Sequence, residues 1–274
     1  MKKIAVIGLG IIGGSLAAAL TNAGYAVDGT DLNPETVKIA KEKGYIQAQA
    51  TDTADYDAVF LAVPPNATVS LLKTGNFKDG AFVADICGVK KLPETAVYGR
   101  ERNYRYIGLH PMAGKETSGI LSASPTLFQN ANLIITTTPK TDEQTLSEAR
   151  VFAKALGFSK IVECTADEHD KKIALTSQLA HIVSNAYVKS GQVQNCDGFT
   201  GGSFQDMTRI AGVDEKMWTE LYLSNKTHLL TELNGLISHL KEYVAALEAD
   251  DEAELSALLK AGRIIREGIK RDND

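Results

Sequence analysis

The chain has 274 residues, 44% of them hydrophobic, enough for one large domain or two modest ones that each bury a core. Its 29 basic and 34 acidic residues leave a net charge of −5, which argues against a nucleic-acid partner, and no apolar run approaches the ~20 residues of a membrane span. Cys87, Cys164 and Cys196 are far apart and form no C-x-x-C pair, arguing against disulfides and structural zinc, and a strand begins directly after Met1-Lys2-Lys3; the expectation is a soluble cytoplasmic protein without a signal peptide.

The first element is an apolar strand, Ile4–Ile7, which runs into Gly8-Leu9-Gly10-Ile11-Ile12-Gly13-Gly14 and then a helix-forming stretch from Ser15 to Asn22. This is G-x-G-x-x-G in the strand–turn–helix setting that gives it meaning as a dinucleotide site. Gly8 suits a tight turn, Gly10 admits a pyrophosphate close to the backbone, and Gly13 lets the helix pack against the strand. Leu9, Ile11 and Ile12 lie within the same turn. A second strand ends on Asp31, eighteen residues after Gly13, where a carboxylate can accept from a ribose diol and would repel a 2′-phosphate. The expected cofactor is NAD.

Further strand-like runs follow at Ala26–Thr30, Asp57–Val63, Ala81–Ile86, Tyr106–Leu109, Asn132–Thr138 and Ile161–Cys164, with helical stretches such as Pro34–Lys43 and Asp142–Leu156 between them. That alternation predicts an α/β fold with a doubly wound, mostly parallel Rossmann sheet. Val63-Pro64-Pro65 stops one strand where the chain should turn over the cofactor, so Val63 and Pro64 join the cofactor-binding set. Strand patterns end near Ala166. The expected division is residues 1–166, an NAD-binding domain, and residues 167–274, an all-helical substrate-binding and dimerisation domain. Leu229, Leu233, Leu236, Leu240, Val244 and Leu247 recur at steps of four, three, four, four and three, a seam for another helix. A homodimer is expected.

Five histidines are available for chemistry: His110, His169, His181, His228 and His239. His228 and His239 fall in the seam region and read as structural or surface residues. His110 ends a strand and precedes a Pro-Met-Ala-Gly turn, and strand C-terminal ends are where doubly wound folds place their substrates. A neutral imidazole there can take a hydroxyl proton while hydride leaves the same carbon.

Five segments together resemble the prephenate/arogenate dehydrogenase family of tyrosine biosynthesis, in family order and spanning the chain to about Asn225: Gly8–Gly14, Val63–Pro65, Asp85–Lys90, Gly108–Gly119 and Phe204–Ala211. The resemblance implies a Rossmann domain followed by a helical dimerisation domain. It also implies oxidative decarboxylation of prephenate, or of arogenate, with His110 as the catalytic base. Arg209 matches a family arginine that grips a substrate carboxylate, with Glu116 holding it while the site is empty. His181 matches a histidine facing the substrate side chain, with Gln178 beside it, where many relatives carry a further histidine. Gly88 stands where many relatives have a serine whose hydroxyl contacts the substrate, leaving that role to water, Cys87 or the cofactor ribose.

Two other classes compete. A β-hydroxyacid dehydrogenase would need a catalytic lysine in a G-x-x-G-x-x-x-K-x-x-N setting, which Lys171 and Lys172 lack. A non-enzymatic NAD sensor would not need His110, His181 and Arg209 together. With Asp31 at the ribose, NAD should exceed NADP by at least about tenfold in kcat/KM, about 1.4 kcal/mol, in steady-state assays with both cofactors; equal use would remove Asp31 from the ribose.

Overall fold

The computed structural model describes residues 2–99, 101–115 and 117–269. Seven strands, β1 (Lys3–Ile7), β2 (Ala26–Thr30), β3 (Ala58–Leu61), β4 (Phe82–Asp85), β5 (Arg105–Pro111), β6 (Asn132–Thr136) and β7 (Lys160–Cys164), form one sheet in the order β2-β1-β3-β4-β5-β6-β7. All neighbours run parallel except β5 and β6. The reason lies in the connections. Between the parallel strands β1 to β5 the chain crosses back largely through helices, whereas among the described residues of the β5–β6 link the only helical piece is the short turn Ile120–Ser122, and the strand returns antiparallel. β3 and β4 are buried at every residue, as expected of strands covered on both faces.

The covering helices are α1 (Ile11–Asn22), α2 (Pro34–Glu42), α3 (Pro65–Thr74), α4 (Lys91–Tyr98) and α5 (Glu143–Leu156). Their starts follow local chemistry. Asn33 accepts from Glu35 N–H ahead of Pro34, which sits in the first turn of α2. Asp142 accepts from Thr145 N–H at 2.7 Å, and α5 ends at Gly157 in the left-handed conformation. Under the sheet, Phe152 of α5 packs on Phe60 and Phe82 with ring centroids 5.1 and 5.2 Å apart. Each such ring removes about 150–250 Å² from water, which makes this trio the centre of the core.

After β7 the described chain is helical: α6 (Ala166–Ile173), a π turn over Ala174–Leu179, α7 (Ala180–Tyr187), α8 (Gly202–Thr208), α9 (Glu215–Ser224), α10 (Lys226–Glu248) and α11 (Glu252–Gly268). The chain resolves into two compact units, residues 1–226 and 227–274. In the second, Leu240, Val244 and Leu247 of the expected seam are each at least half exposed, as are Leu259 and Ile265 of α11. No described helix is long and apolar enough to cross a membrane.

β2 lies on one side of β1 and β3 on the other, so the strand order reverses at the β1/β3 boundary. In open α/β sheets a crevice opens beyond the carboxyl ends of the strands at such a point. It sets the place of the site.

Candidate active site

A cleft of about 370 Å³ opens at that reversal. Gly10, Ile11, Ile12 and Gly13 line it from the β1–α1 turn, and Val63 and Pro64 from the end of β3. Ile86, Cys87 and Gly88 approach from the loop after β4, His110 and Pro111 from the end of β5, and Met217 and Leu221 from α9. The glycine turn is built by exclusion. Gly8 adopts φ +89°, and a Cβ there would stand 2.4 Å from the Ala62 carbonyl oxygen. At Gly13 a Cβ would fall 1.9 Å from the Gly8 oxygen, so only glycine lets α1 start this close to β1.

A dinucleotide fits these residues. α1 begins at Gly10 without a side-chain cap and without an acidic residue in its first turn, so unpaired N–H groups face the cleft and suit a pyrophosphate. A Cβ on Gly10 would meet nothing within 4 Å, which leaves the backbone open to close approach. Asp31 is held at the end of β2 by Leu9 N–H at 2.8 Å and Asn33 N–H at 2.9 Å. Leu9 itself is fully buried and serves the turn as packing.

Beneath the cleft the β4–α4 loop is anchored by a buried ion pair. Lys90 Nζ lies 2.6 Å from Asp85 Oδ1, both side chains fully buried. Asp85 also accepts from Cys87 N–H at 3.0 Å and Tyr106 O–H at 2.7 Å, which satisfies the carboxylate. Burial and this carboxylate push the Tyr106 hydroxyl well above its ordinary range. Cys87 turns its thiol inward, 3.2 Å from Thr68 Oγ1, and burial pushes it up to about 12. The thiol is therefore committed to the protein interior and is a poor replacement for a serine hydroxyl at the substrate.

His110 Nδ1 lies 2.8 Å from His169 Nε2, and His169 Nδ1 lies 2.7 Å from Asp170 Oδ1. Asp170 Oδ1 and Oδ2 also accept the backbone N–H groups of Lys90 and Lys91, at 2.7 and 2.9 Å. Burial first, then His169 and the Lys90 ammonium, hold the His110 imidazole well below its usual range. The ring is neutral at physiological pH. The sequence does not single out His169 and Asp170, because the link to His110 is a contact between residues 59 positions apart. The adjacent His-Asp pair in the middle of α6 is the one local signal that points to them.

The residues expected at the substrate are spread more widely. His181 Nδ1 donates to the Ile210 carbonyl at 2.9 Å, and its ring stacks on Trp218 at a centroid distance of 4.0 Å. Ser184 and Asn185, further along α7, bond the Met207 and Ala211 carbonyls. These three contacts bind α7 to the end of α8, where Arg209 sits on the exposed side of the C-cap. Gln178 is buried, donating to the Leu221 carbonyl at 3.3 Å and accepting from Asn225 at 2.8 Å, so its amide supports α9. Neither His181, Arg209 nor Gln178 is on the cleft wall, whereas Gly88 is. A Cβ on Gly88 would stand 3.5 Å from Leu221 and 3.9 Å from His110 Nε2, an ordinary contact. Glu116 lies outside the described residues.

Comparison with known proteins gives a consistent picture. The model of the prephenate dehydrogenase nucleotide-binding domain matches residues 16–162, and that of the prephenate dehydrogenase dimerization domain matches residues 165–261. The prephenate dehydrogenase of Lactococcus lactis is 31% identical over 289 aligned positions, covering 98% of this chain and 78% of its own. The crystal structure of A. aeolicus prephenate dehydrogenase in complex with hydroxyphenyl propionate and NAD+ superposes with a TM-score of 0.85 at 29% identity, covering 98% of this chain and 99% of that one. That of Synechocystis arogenate dehydrogenase gives 0.78 at 28% identity, covering 97% and 99%.

A base that must be unprotonated works above its pKa, and the His110 shift is downward. The kcat/KM profile should therefore stay flat as pH falls through the ordinary imidazole value of about 6.5 and decline only at more acid pH. Steady-state rates from pH 5 to 8, at about half-unit steps, check this; an acid limb centred at or above the ordinary value would contradict it.

Proposed function

The chain belongs to the prephenate dehydrogenase family, and from that premise we propose that it oxidises and decarboxylates prephenate with His110 as the base. Gly8 to Gly13, Asp31, Val63 and Pro64 would hold NAD, which would supply a hydride acceptor for the ring carbon that bears the hydroxyl. His110 Nε2 takes the hydroxyl proton as that C–H bond breaks. The resulting dienone is a vinylogous β-keto acid, so the carboxylate at the opposite ring carbon leaves as carbon dioxide and the ring becomes aromatic. Aromatisation supplies the driving force. The protein is left with orientation and a base.

The observation that supports this most directly is the position of the His110 imidazole at the carboxyl end of β5, on the wall of the cleft that the glycine turn also lines, where burial disfavours its charged form. Arg209 takes the role of carboxylate clamp, since a guanidinium stays charged and binds bidentately. His181 orients the clamp through the Ile210 carbonyl, one residue away. Glu116 acts as the partner of Arg209 before substrate arrives. We place the functional boundary at residues 166/167 and infer that two copies pair through the helical half. The family's dimerization-domain model and the exposed apolar residues of α10 and α11 support that pairing.

His110→Asn should lower kcat by about 100- to 10,000-fold while NAD affinity, read by calorimetry, stays within about threefold. A variant that retains near-parental turnover removes His110 as base. Assays with prephenate and arogenate side by side decide the side chain accepted, and a clear preference for arogenate would replace the substrate named here.

A further inference from the structure

Behind His110 stands a pair of residues that the reaction above does not use. His169 and Asp170 are consecutive on α6, each 1% exposed. A carboxylate can only accept, so the 2.7 Å contact requires the hydrogen to be on His169 Nδ1. In a neutral ring His169 Nε2 is then an acceptor. The 2.8 Å contact with His110 has one polarity left, donation from His110 Nδ1. A neutral His110 with its hydrogen on Nδ1 keeps its lone pair on Nε2, the nitrogen that looks toward Gly88 and the cleft.

We propose that His169 and Asp170 are positioning residues that fix the tautomer and ring plane of His110, so that the basic nitrogen is the one facing substrate. The proposal rests on the reading of His110 as base and names what prepares it. During the reaction the substrate O–H bond breaks and an N–H bond forms at His110 Nε2. The resulting imidazolium keeps its Nδ1–H bond to His169, and no proton has to travel further. The interposed imidazole also sets distance. An aspartate touching His110 directly would put its charge one ring nearer to a substrate that carries carboxylates of its own, whereas here the anion is tied to the Lys90 and Lys91 N–H groups behind the site. The other charges close to this chain of groups are Asp85 and the Lys90 ammonium paired with it, and the ammonium disfavours a second positive charge on His110. The same logic of carboxylate, imidazole and reacting group governs the serine-protease triad, where a wrong tautomer costs about 10,000-fold in kcat.

Asp170 also ties backbone, so His169 is the position to change. Histidine-selective 15N NMR on the full chain reads the tautomer, and steady-state kinetics with calorimetry read kcat, KM and NAD affinity. The expected parent signal is hydrogen on His110 Nδ1. His169→Leu should lower kcat by at least about 100-fold and leave KM and NAD affinity within about threefold. His169→Gln, whose side-chain oxygen can still accept from Nδ1–H, should recover at least about tenfold of that loss. Hydrogen on His110 Nε2 in the parent, or His169→Leu with kcat within about threefold of it, overturns the proposal. So does a His169→Leu loss in which NAD affinity falls by the same factor as kcat, the mark of a merely structural contact. His110→Asn separates the two ideas: if it stays active the base is misassigned, while an inactive His110→Asn beside an active His169→Leu removes the positioning role alone.

Discussion

Asp170 is the constraint on which the site depends. Its two oxygens take three hydrogens, from Lys90 and Lys91 of the β4–α4 loop and from His169 beside it. The carboxylate thereby serves as the missing cap of α4, whose own N-cap residue makes no side-chain cap bond, and it lies where the helix dipole favours negative charge. One group of α6 thus holds the loop that carries Gly88 and the imidazole that meets His110. Asn225, which donates to the Asp170 carbonyl at 2.7 Å and to Gln178 at 2.8 Å, extends the same network to the end of α9. Such a network is costly unless every member is satisfied, and here each named group has its partner.

Charge is arranged to keep these parts distinct. The Lys90–Asp85 pair is wholly buried, where desolvation cancels much of the attraction. Its value is geometric, since the backbone N–H of Lys90 goes to Asp170 while its ammonium goes to Asp85. An ammonium near His110 also disfavours a second positive charge, which keeps the imidazole free to act as a base. At the far side of the cleft the uncapped start of α1 supplies partial positive charge without any cationic side chain. Cation, base and anion site stay separate because each is tied to a different element.

Much of this organisation is legible in the chain itself. The strands, the glycine turn and the carboxylate closing β2 follow from short-range patterns, because a βα turn is made by residues close in sequence. His110 is visible for the same reason: it ends a strand and precedes a proline. What the pattern does not carry is the partner of a side chain. Gln178 reads as facing substrate from its place beside His181, yet packing turns it toward Leu221 and Asn225, more than forty residues on. His169 reads as one more helical histidine until the fold brings it to the end of β5. The reversed strand β6 is likewise unreadable locally, since its direction depends on the missing helix in the connection before it.

The bare backbone at Gly88 has a consequence for inhibitor design. Beside His110 it leaves a niche that can take one more heavy atom, with Leu221 forming its other wall. A serine at this position would fill that niche itself. A ring-shaped ligand bearing a single methyl aimed at the niche would gain burial in this enzyme and collide with the hydroxymethyl group of any homologue that carried serine there. Selectivity of that kind comes from the exclusion as much as from the fit.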